Sequence, residues 1–207
     1  MNAVKLSLYD LKPRFQALLR PAVRALAGIG VTANQVTVFA AAGSIALGAM
    51  LTAWGGAARW LFLLLPVWFL LRMALNAADG MLAREFGQKS RLGAYLNELC
   101  DVVADAALYL PFALVMPWGI VGAAAVIFLA TVSEFAGVLG SMVGGERRYD
   151  GPMGKSDRAL VFAALGGWIG FGLGLPSWLG WLWPALALLL VLNIVNRVRA
   201  GLASAKS

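Results

Sequence analysis

Between Asn76 and Asp105 the chain reads NAADGMLAREFGQKSRLGAYLNELCDVVAD, the one place where acidic and amide side chains stand densely in an apolar sequence. Four of the ten acidic residues, Asp79, Glu98, Asp101 and Asp105, fall within or at the edge of stretches apolar enough to enter a bilayer. Ionisable groups placed there are costly unless they are paired, solvated or bound to an ion, so a cluster of them marks a functional site. Carboxylate and amide oxygens, with no thiol or imidazole among them, suit a hard cation such as Mg²⁺ or Mn²⁺. Gly80, Ala83 and Gly93 are small, which lets two helices and a phosphate approach closely.

The elements that must position these groups follow from the helical period. At about 100° per residue, Asn76, Asp79, Gly80 and Ala83 share one face of a helix. Asn97, Glu98, Asp101 and Asp105 lie within an arc of about 100° on the next. Counted from the basic link between the two helices, Asn76, Asp79, Asn97, Glu98 and Asp101 lie roughly 7–15 Å deep. Two facing polar patches at matching depth predict a pocket that opens on the side of that link.

The scaffold around the pocket is a membrane protein. The chain has 207 residues, 61% of them hydrophobic and 13% charged, too apolar for a soluble domain of this length. Apolar stretches at 33–54, 58–83, 91–116, 118–143, 158–175 and 177–199 are each long enough to cross a core of about 30 Å. The links at Gly55-Gly56, Met116-Pro117 and Pro176-Ser177 hold almost no charge, Arg59 excepted. The other links hold Arg84, Lys89 and Arg91, then Arg147, Arg148, Lys155 and Arg158, and both termini are basic. Basic links face the cytoplasm, so the alternation puts both termini and the pocket there. The net charge of +7 is accounted for in this way, without a nucleic-acid partner. The absence of histidine excludes histidine catalysis and the usual zinc sites, and the single cysteine, Cys100, excludes an internal disulfide.

Residues 1–30 lack the apolar core of a signal peptide. Leu11, Phe15, Leu18, Leu19, Ala22, Val23 and Leu26 recur instead at helical spacing, interleaved with Lys12, Arg14, Arg20 and Arg24. The pattern fits an amphipathic helix, bent at Pro21, that lies in the membrane interface or packs on the cytoplasmic face of the protein. Trp54, Trp60, Trp118, Trp178, Trp181 and Trp183 gather at the predicted periplasmic ends as interface anchors. The expected fold is all-α: an interfacial amphipathic helix over 1–30, then one domain of six transmembrane helices over 31–207.

The central stretch resembles the signature of the CDP-alcohol phosphatidyltransferases, D-x2-D-G-x2-A-R-x8-G-x3-D-x3-D. Asn76, Asp79, Gly80, Ala83, Arg84, Gly93, Asn97 and Asp101 occupy its eight positions without a gap. The T-A-N-Q-V-T run at 32–37 is similar to the family's T-P-N-x-L-T run before span 1, and G-K-S-D-R at 154–158 to its basic loop before span 5. Within the family the chain looks like a bacterial inner-membrane branch. The resemblance implies transfer of a phosphatidyl or similar phosphoalcohol group from CDP-diacylglycerol or a related CDP-alcohol to an alcohol acceptor, with release of CMP. It implies Mg²⁺ or Mn²⁺ held by the signature positions Asn76, Asp79, Asn97 and Asp101, with Asp101 as the general base; Glu98, next to Asn97, is a further candidate ligand from its own position. Asn34, Thr37, Gly80, Ala83, Arg84 and Gly93 would bind the nucleotide and its phosphates, Lys155 and Arg158 the acceptor, and the protein would be a homodimer. The chemistry agrees: phosphoryl transfer needs positioning and charge neutralisation, and metal ions supply both.

Asn76 and Asn97 depart from the signature, and each replaces a carboxylate by a neutral amide. Glu98 could restore part of the charge. The site could hold one metal, or recruit the substrate's pyrophosphate as a ligand. The chain could also be a silent member that binds lipid or nucleotide. Six spans with buried carboxylates would suit a small transporter too, although the polar groups gather at one membrane face rather than at the midplane between repeats. Asp105 is expected to pair with Arg72 at matching depth, and Glu134 to be hydrogen-bonded between helices. The acceptor stays open among glycerol phosphate, serine, inositol phosphate and a second lipid headgroup. The charge alternation predicts that single cysteines placed in residues 144–157 will react with a membrane-impermeant maleimide only from the cytoplasmic side. Labelling from the periplasm would invert the topology and remove the pocket from CDP-linked donors.

Overall fold

The computed structural model describes residues 8–204, with side chains from residue 15 onward. Leu11, Lys12 and Arg14 of the amphipathic pattern lie outside the described side chains, and residues 1–7 and 205–207 outside the description. The described chain is all-helical. Its helices are α1 (Leu8–Gly28), α2 (Ala33–Trp54), α3 (Leu64–Glu85), α4 (Arg91–Tyr109), the single turn α5 (Phe112–Val115), α6 (Gly119–Met142), α7 (Lys155–Gly170) and α8 (Leu182–Ser204). Short 3₁₀ turns at Arg59–Leu63 and Ser177–Trp181 lead into α3 and α8.

Four segments are long and apolar enough to cross a membrane: Ala33–Trp54, Arg59–Glu85, Gly119–Met142 and Ser177–Ser204. The two remaining expected spans fall short for different physical reasons. α4 carries Arg91, Glu98, Asp101 and Asp105 among its 19 residues, and it ends before Pro111, which has no N–H to continue the ladder. α7 has 16 residues, about 24 Å at the helical rise, against a core of about 30 Å.

Packing divides the chain into two compact units: residues up to 42 with 70–100, and residues 43–69 with 101–207. The first unit is built on Val23 of α1, Ala33 and Val36 of α2, and Ala78, Met81 and Leu82 of α3. α1 thus takes the packed alternative for the amphipathic helix: Leu19, Val23 and Ala27 face α2 and α3, and Leu18 stays 76% exposed. It continues through Pro21 as one helix. The start of α2 shows why the T-A-N-Q run matters locally. Gln35 N donates to the Thr32 hydroxyl at 3.2 Å and Thr32 N to Gln35 Oε1 at 2.8 Å, which satisfies two of the unpaired amides of the first turn. Gln88 Oε1 accepts from Ala33 N at 2.6 Å, so the link between α3 and α4 is tied to the same helix end. Ser90 caps α4 by accepting from Gly93 N at 2.9 Å.

The second unit has an aromatic core. Tyr109 stacks on Phe162 with ring centroids 3.9 Å apart, and Phe112 meets both Phe62 and Phe162 edge-on. Trp54, Trp60, Trp118, Trp178 and Trp181 are exposed, as interface anchors would be. Trp183 is not an anchor: it is 3% exposed, donates to the Pro117 carbonyl at 3.1 Å, and lies over Gly122, where a Cβ would come 2.1 Å from its indole. At Gly48 a Cβ would stand 2.2 Å from the Ala107 carbonyl oxygen, so α2 and α4 touch backbone to backbone. Gly48→Val is expected to destabilise the fold by about 1–3 kcal/mol through overpacking. Gly56→Val, in a link with open space around it, is the near-neutral control. Thermal unfolding in detergent measures both.

Candidate functional site

In the first unit the signature residues from Asn76 to Asn97 sit on the ends of α3 and α4 nearest the link between them, beside the start of α2. Asp79 is 6% exposed and accepts from the Thr37 hydroxyl at 2.8 Å. Thr37, 8% exposed, also lies 3.0 Å from the Ala33 carbonyl of its own helix, so its single proton is shared between the two oxygens. Arg84 folds back one turn, and its guanidinium nitrogens occupy the space beside Gly80 where a Cβ would stand, 3.0 and 3.1 Å away. At Gly93 a Cβ would come 2.8 Å from Asn34 Oδ1 and 3.0 Å from Ser90 Oγ. The missing side chain therefore lets the Asn34 amide lie over the first turn of α4. Ala83 is half-buried against the core of this unit. Asn76 and Asn97 are half-buried, and Asn97 Nδ2 donates to Glu98 Oε1 at 3.4 Å. Glu98 is thus turned toward the position where the signature has lost a carboxylate.

In the second unit Asp101 is ion-paired with Lys155, the first residue of α7. One turn further along α4, Asp105 accepts from Arg158 Nη2 at 3.0 Å. Arg158 is 1% exposed. The same nitrogen reaches Glu134 Oε1 at 3.0 Å, and Nη1 donates to the Met153 carbonyl at 3.1 Å. Glu134 Oε2 takes Arg147 and Arg197, each at 3.3 Å. Glu134 is therefore the hydrogen-bonded, interhelical carboxylate that was expected. Asp105, expected beside Arg72, has in Arg158 a cation partner that helical periodicity alone did not identify. The link between α6 and α7 folds onto this cluster: Arg148 N donates to the Gly137 carbonyl at 2.9 Å and Asn193 Nδ2 to the Pro152 carbonyl at 2.7 Å. In the same link Arg148, hydrogen-bonded to Asp150, holds that carboxyl below the usual carboxylate range.

Arg197, Ser133 and Asn193 were missed from the sequence, and Arg147 was read only as a basic link residue. Arg197 had a legible signal, a charge inside an apolar helix, whose partner depends on how α6 and α8 pack. Among the described residues no three Asp, Glu or Cys side chains gather into a group able to hold a metal. The donor chemistry nonetheless fits a hard divalent cation, because Asp79, Glu98, Asp101, Asn76 and Asn97 offer oxygen and nothing softer.

Residues 30–194 match the CDP-alcohol phosphatidyltransferase family. The chain belongs to that family. It is 45% identical over 200 residues to the inner membrane protein YnbA of Escherichia coli, covering 95% of this chain and 97% of that one. It is 28% identical over 193 residues to the phosphatidylinositol phosphate synthase of Mycobacteroides abscessus, covering 89% and 80%. The corresponding synthase of Mycobacterium marinum is 32% identical over 99 residues, 46% of this chain and 38% of that one. As a CDP-alcohol phosphatidyltransferase family member with four helices able to cross a bilayer, the chain is a multi-pass membrane protein, and the carrier alternative loses its basis.

The two cations of α7 differ in consequence. Arg158→Met leaves Asp105 and Glu134 short of a buried counter-charge and is expected to destabilise the fold by about 3–5 kcal/mol. Lys155 is 30% exposed, and Lys155→Met should change stability by no more than about 1 kcal/mol. Thermal unfolding of both variants in one detergent checks the contrast.

Proposed function

We propose that this protein is an inner-membrane phosphotransferase that moves a phosphatidyl or related phosphoalcohol group from CDP-diacylglycerol, or another CDP-alcohol, to an alcohol acceptor and releases CMP. In this proposal α4 and α7 complete six spans, residues 31–207 form the transferase domain behind the amphipathic helix of 1–30, both termini and the site face the cytoplasm, and the protein is a homodimer. The observation that carries it is the retention of Asp79, Gly80, Ala83, Arg84, Gly93 and Asp101 at signature spacing in a chain that matches the family over 165 residues, from 30 to 194.

Each residue then has work that its surroundings suit. Thr37 orients the Asp79 carboxylate. Arg84 and the amide of Asn34, each lying beside a glycine, bind phosphate and nucleotide oxygens, guanidinium being suited to bidentate phosphate contacts. Asn76, Asp79, Asn97, Glu98 and Asp101 hold Mg²⁺ or Mn²⁺, which neutralises pyrophosphate charge when bound. Asp101 takes the proton of the acceptor hydroxyl. Lys155, at the mouth of α7, binds acceptor phosphate, while Arg158, with both Nη atoms engaged, acts by holding α7 in place. The relatives named phosphatidylinositol phosphate synthase make a phosphorylated polyol the first acceptor to try. The two asparagines favour one second reading, a silent member that binds a CDP-linked lipid without turning it over.

Release of CMP from CDP-diacylglycerol by purified protein, with Mg²⁺ or Mn²⁺ and a panel of alcohols, separates the two. Asp101→Asn should abolish that release and leave donor binding largely intact, because it removes the base and keeps an oxygen. Asp79→Ala should abolish Mn²⁺ binding in protein that still extracts folded. A wild type that binds the donor and releases no CMP with any alcohol would leave the silent reading in possession.

A further inference from the structure

Within the first unit, the link between α3 and α4 grips the start of α2 through one side chain. Gln88 is half-buried, and its amide makes two contacts with backbone. Oε1 accepts from Ala33 N at 2.6 Å, and Nε2 donates to the Val31 carbonyl at 3.4 Å. Those two peptide groups flank Thr32, so the side chain fixes the backbone on both sides of the residue before α2. A glutamine amide carries an acceptor and a donor side by side without charge, which is what this pair of backbone groups calls for. Thr32 and Gln35 serve each other's amides, and Gln88 takes a further N–H of the first turn from outside the helix. The link itself turns at Gly87, whose φ of 69° lies in the left-handed region. A Cβ there would meet open space, so the backbone conformation and not crowding calls for glycine.

Asn34 follows directly on the gripped peptides. Its side chain lies over α4 at Gly93, where a Cβ would come 2.8 Å from Asn34 Oδ1. Three residues further on, the Thr37 hydroxyl donates to Asp79. The first turn of α2 is thus held to the link by Gln88 and to α3 by Thr37, with Asn34 between the two holds. The contacts of Gln88 are with backbone, so it acts on the site through where it puts Asn34. We propose that Gln88 is a positioning residue for nucleotide binding: it sets the first turn of α2 so that the Asn34 amide stands over Gly93 to receive the nucleotide of a CDP-linked donor. This rests on the nucleotide-binding role given above to Asn34, and it adds the residue that places it. Gln88 lies in the unspecified run of the signature between Arg84 and Gly93, where spacing alone assigns no role. A residue that acts through Asn34 loses its effect once the Asn34 side chain is gone, whereas an independent loss adds to it.

The test is a double-mutant cycle on CDP binding, measured by isothermal titration calorimetry on purified full-length protein in detergent with Mg²⁺ present. Wild type should bind CDP. Gln88→Met should weaken that binding about tenfold, and Asn34→Ala by about as much. The double variant should bind CDP about as well as Asn34→Ala alone. Gln88→Ala takes the place of Gln88→Met if that variant does not extract folded. Losses that multiply to about a hundredfold in the double variant overturn the positioning role. A folded Gln88 variant that binds CDP like wild type overturns it too, and both results leave the nucleotide reading standing. An Asn34→Ala variant that binds CDP like wild type removes Asn34 from the nucleotide site and the inference with it. Folded wild type that binds no CDP overturns the nucleotide reading itself.

Discussion

Glu134 is held by three arginines, Arg147, Arg158 and Arg197, inside a helix apolar enough to cross a bilayer. The second unit depends on this meeting of charges. A carboxylate in that environment is tolerable only while its partners stay with it, and the low dielectric that makes an unpaired charge costly also makes the paired one selective. The three arginines come from the α6–α7 link, from α7 and from α8, so one side chain fixes three separate pieces of chain. Asp105 shares Arg158 and brings α4 into the same cluster. Three guanidinium groups face two carboxylates there, and the Ser133 carbonyl takes one of the remaining donors of Arg197.

Small residues make the meeting possible. Gly137 and Gly140 of α6 leave room for the returning link: a Cβ at Gly137 would stand 2.7 Å from the Arg148 carbonyl oxygen, and one at Gly140 2.7 Å from Arg148 Cγ. The link can then give its backbone to Gly137 and Asn193 rather than to water. From the cluster the next contact between α4 and α7 follows by helical repeat. Asp101 is the residue one turn before Asp105, Lys155 lies three residues before Arg158, and the pairing of the outer two is a consequence of the pairing of the inner two.

Much of this was legible because it is local. The apolar stretches at 33–54, 58–83, 118–143 and 177–199 follow from length and hydropathy, and each has a helix in the structure within a few residues. The signature on α3 and α4 was legible because its spacing is a helical spacing, and the capping pair Thr32–Gln35 because both partners lie in one turn. The partners of Arg158 were not legible: Asp105 and Glu134 lie 53 and 24 residues away, and nothing in a local pattern says which buried carboxylate a buried arginine will meet. Trp183 was misplaced for a related reason. Residue type and depth put it with the interface tryptophans, and only the absence of a side chain at Gly122 shows that a pocket waits for its ring. The interruption of the third stretch at Leu110–Pro111 could have been read from the proline.

The two asparagines fit the same physical logic. In a membrane helix each carboxylate calls for a partner, and a site made of carboxylates alone would need its metal ions to be tolerable at all. Here each acidic side chain of the signature region has a partner inside its own unit: Asp79 the Thr37 hydroxyl, Glu98 the amide of Asn97, Asp101 the Lys155 ammonium. Asn97 serves twice in this arrangement, since it contributes no charge of its own and gives a donor to the neighbouring carboxylate. Changing Asn97 to Asp would remove that donor and set a second carboxylate beside Glu98, and each charge would raise the cost of ionising the other. The asparagines thus lower the number of carboxylates that need a partner, and Asp101 finds a counter-charge within the chain itself, in Lys155.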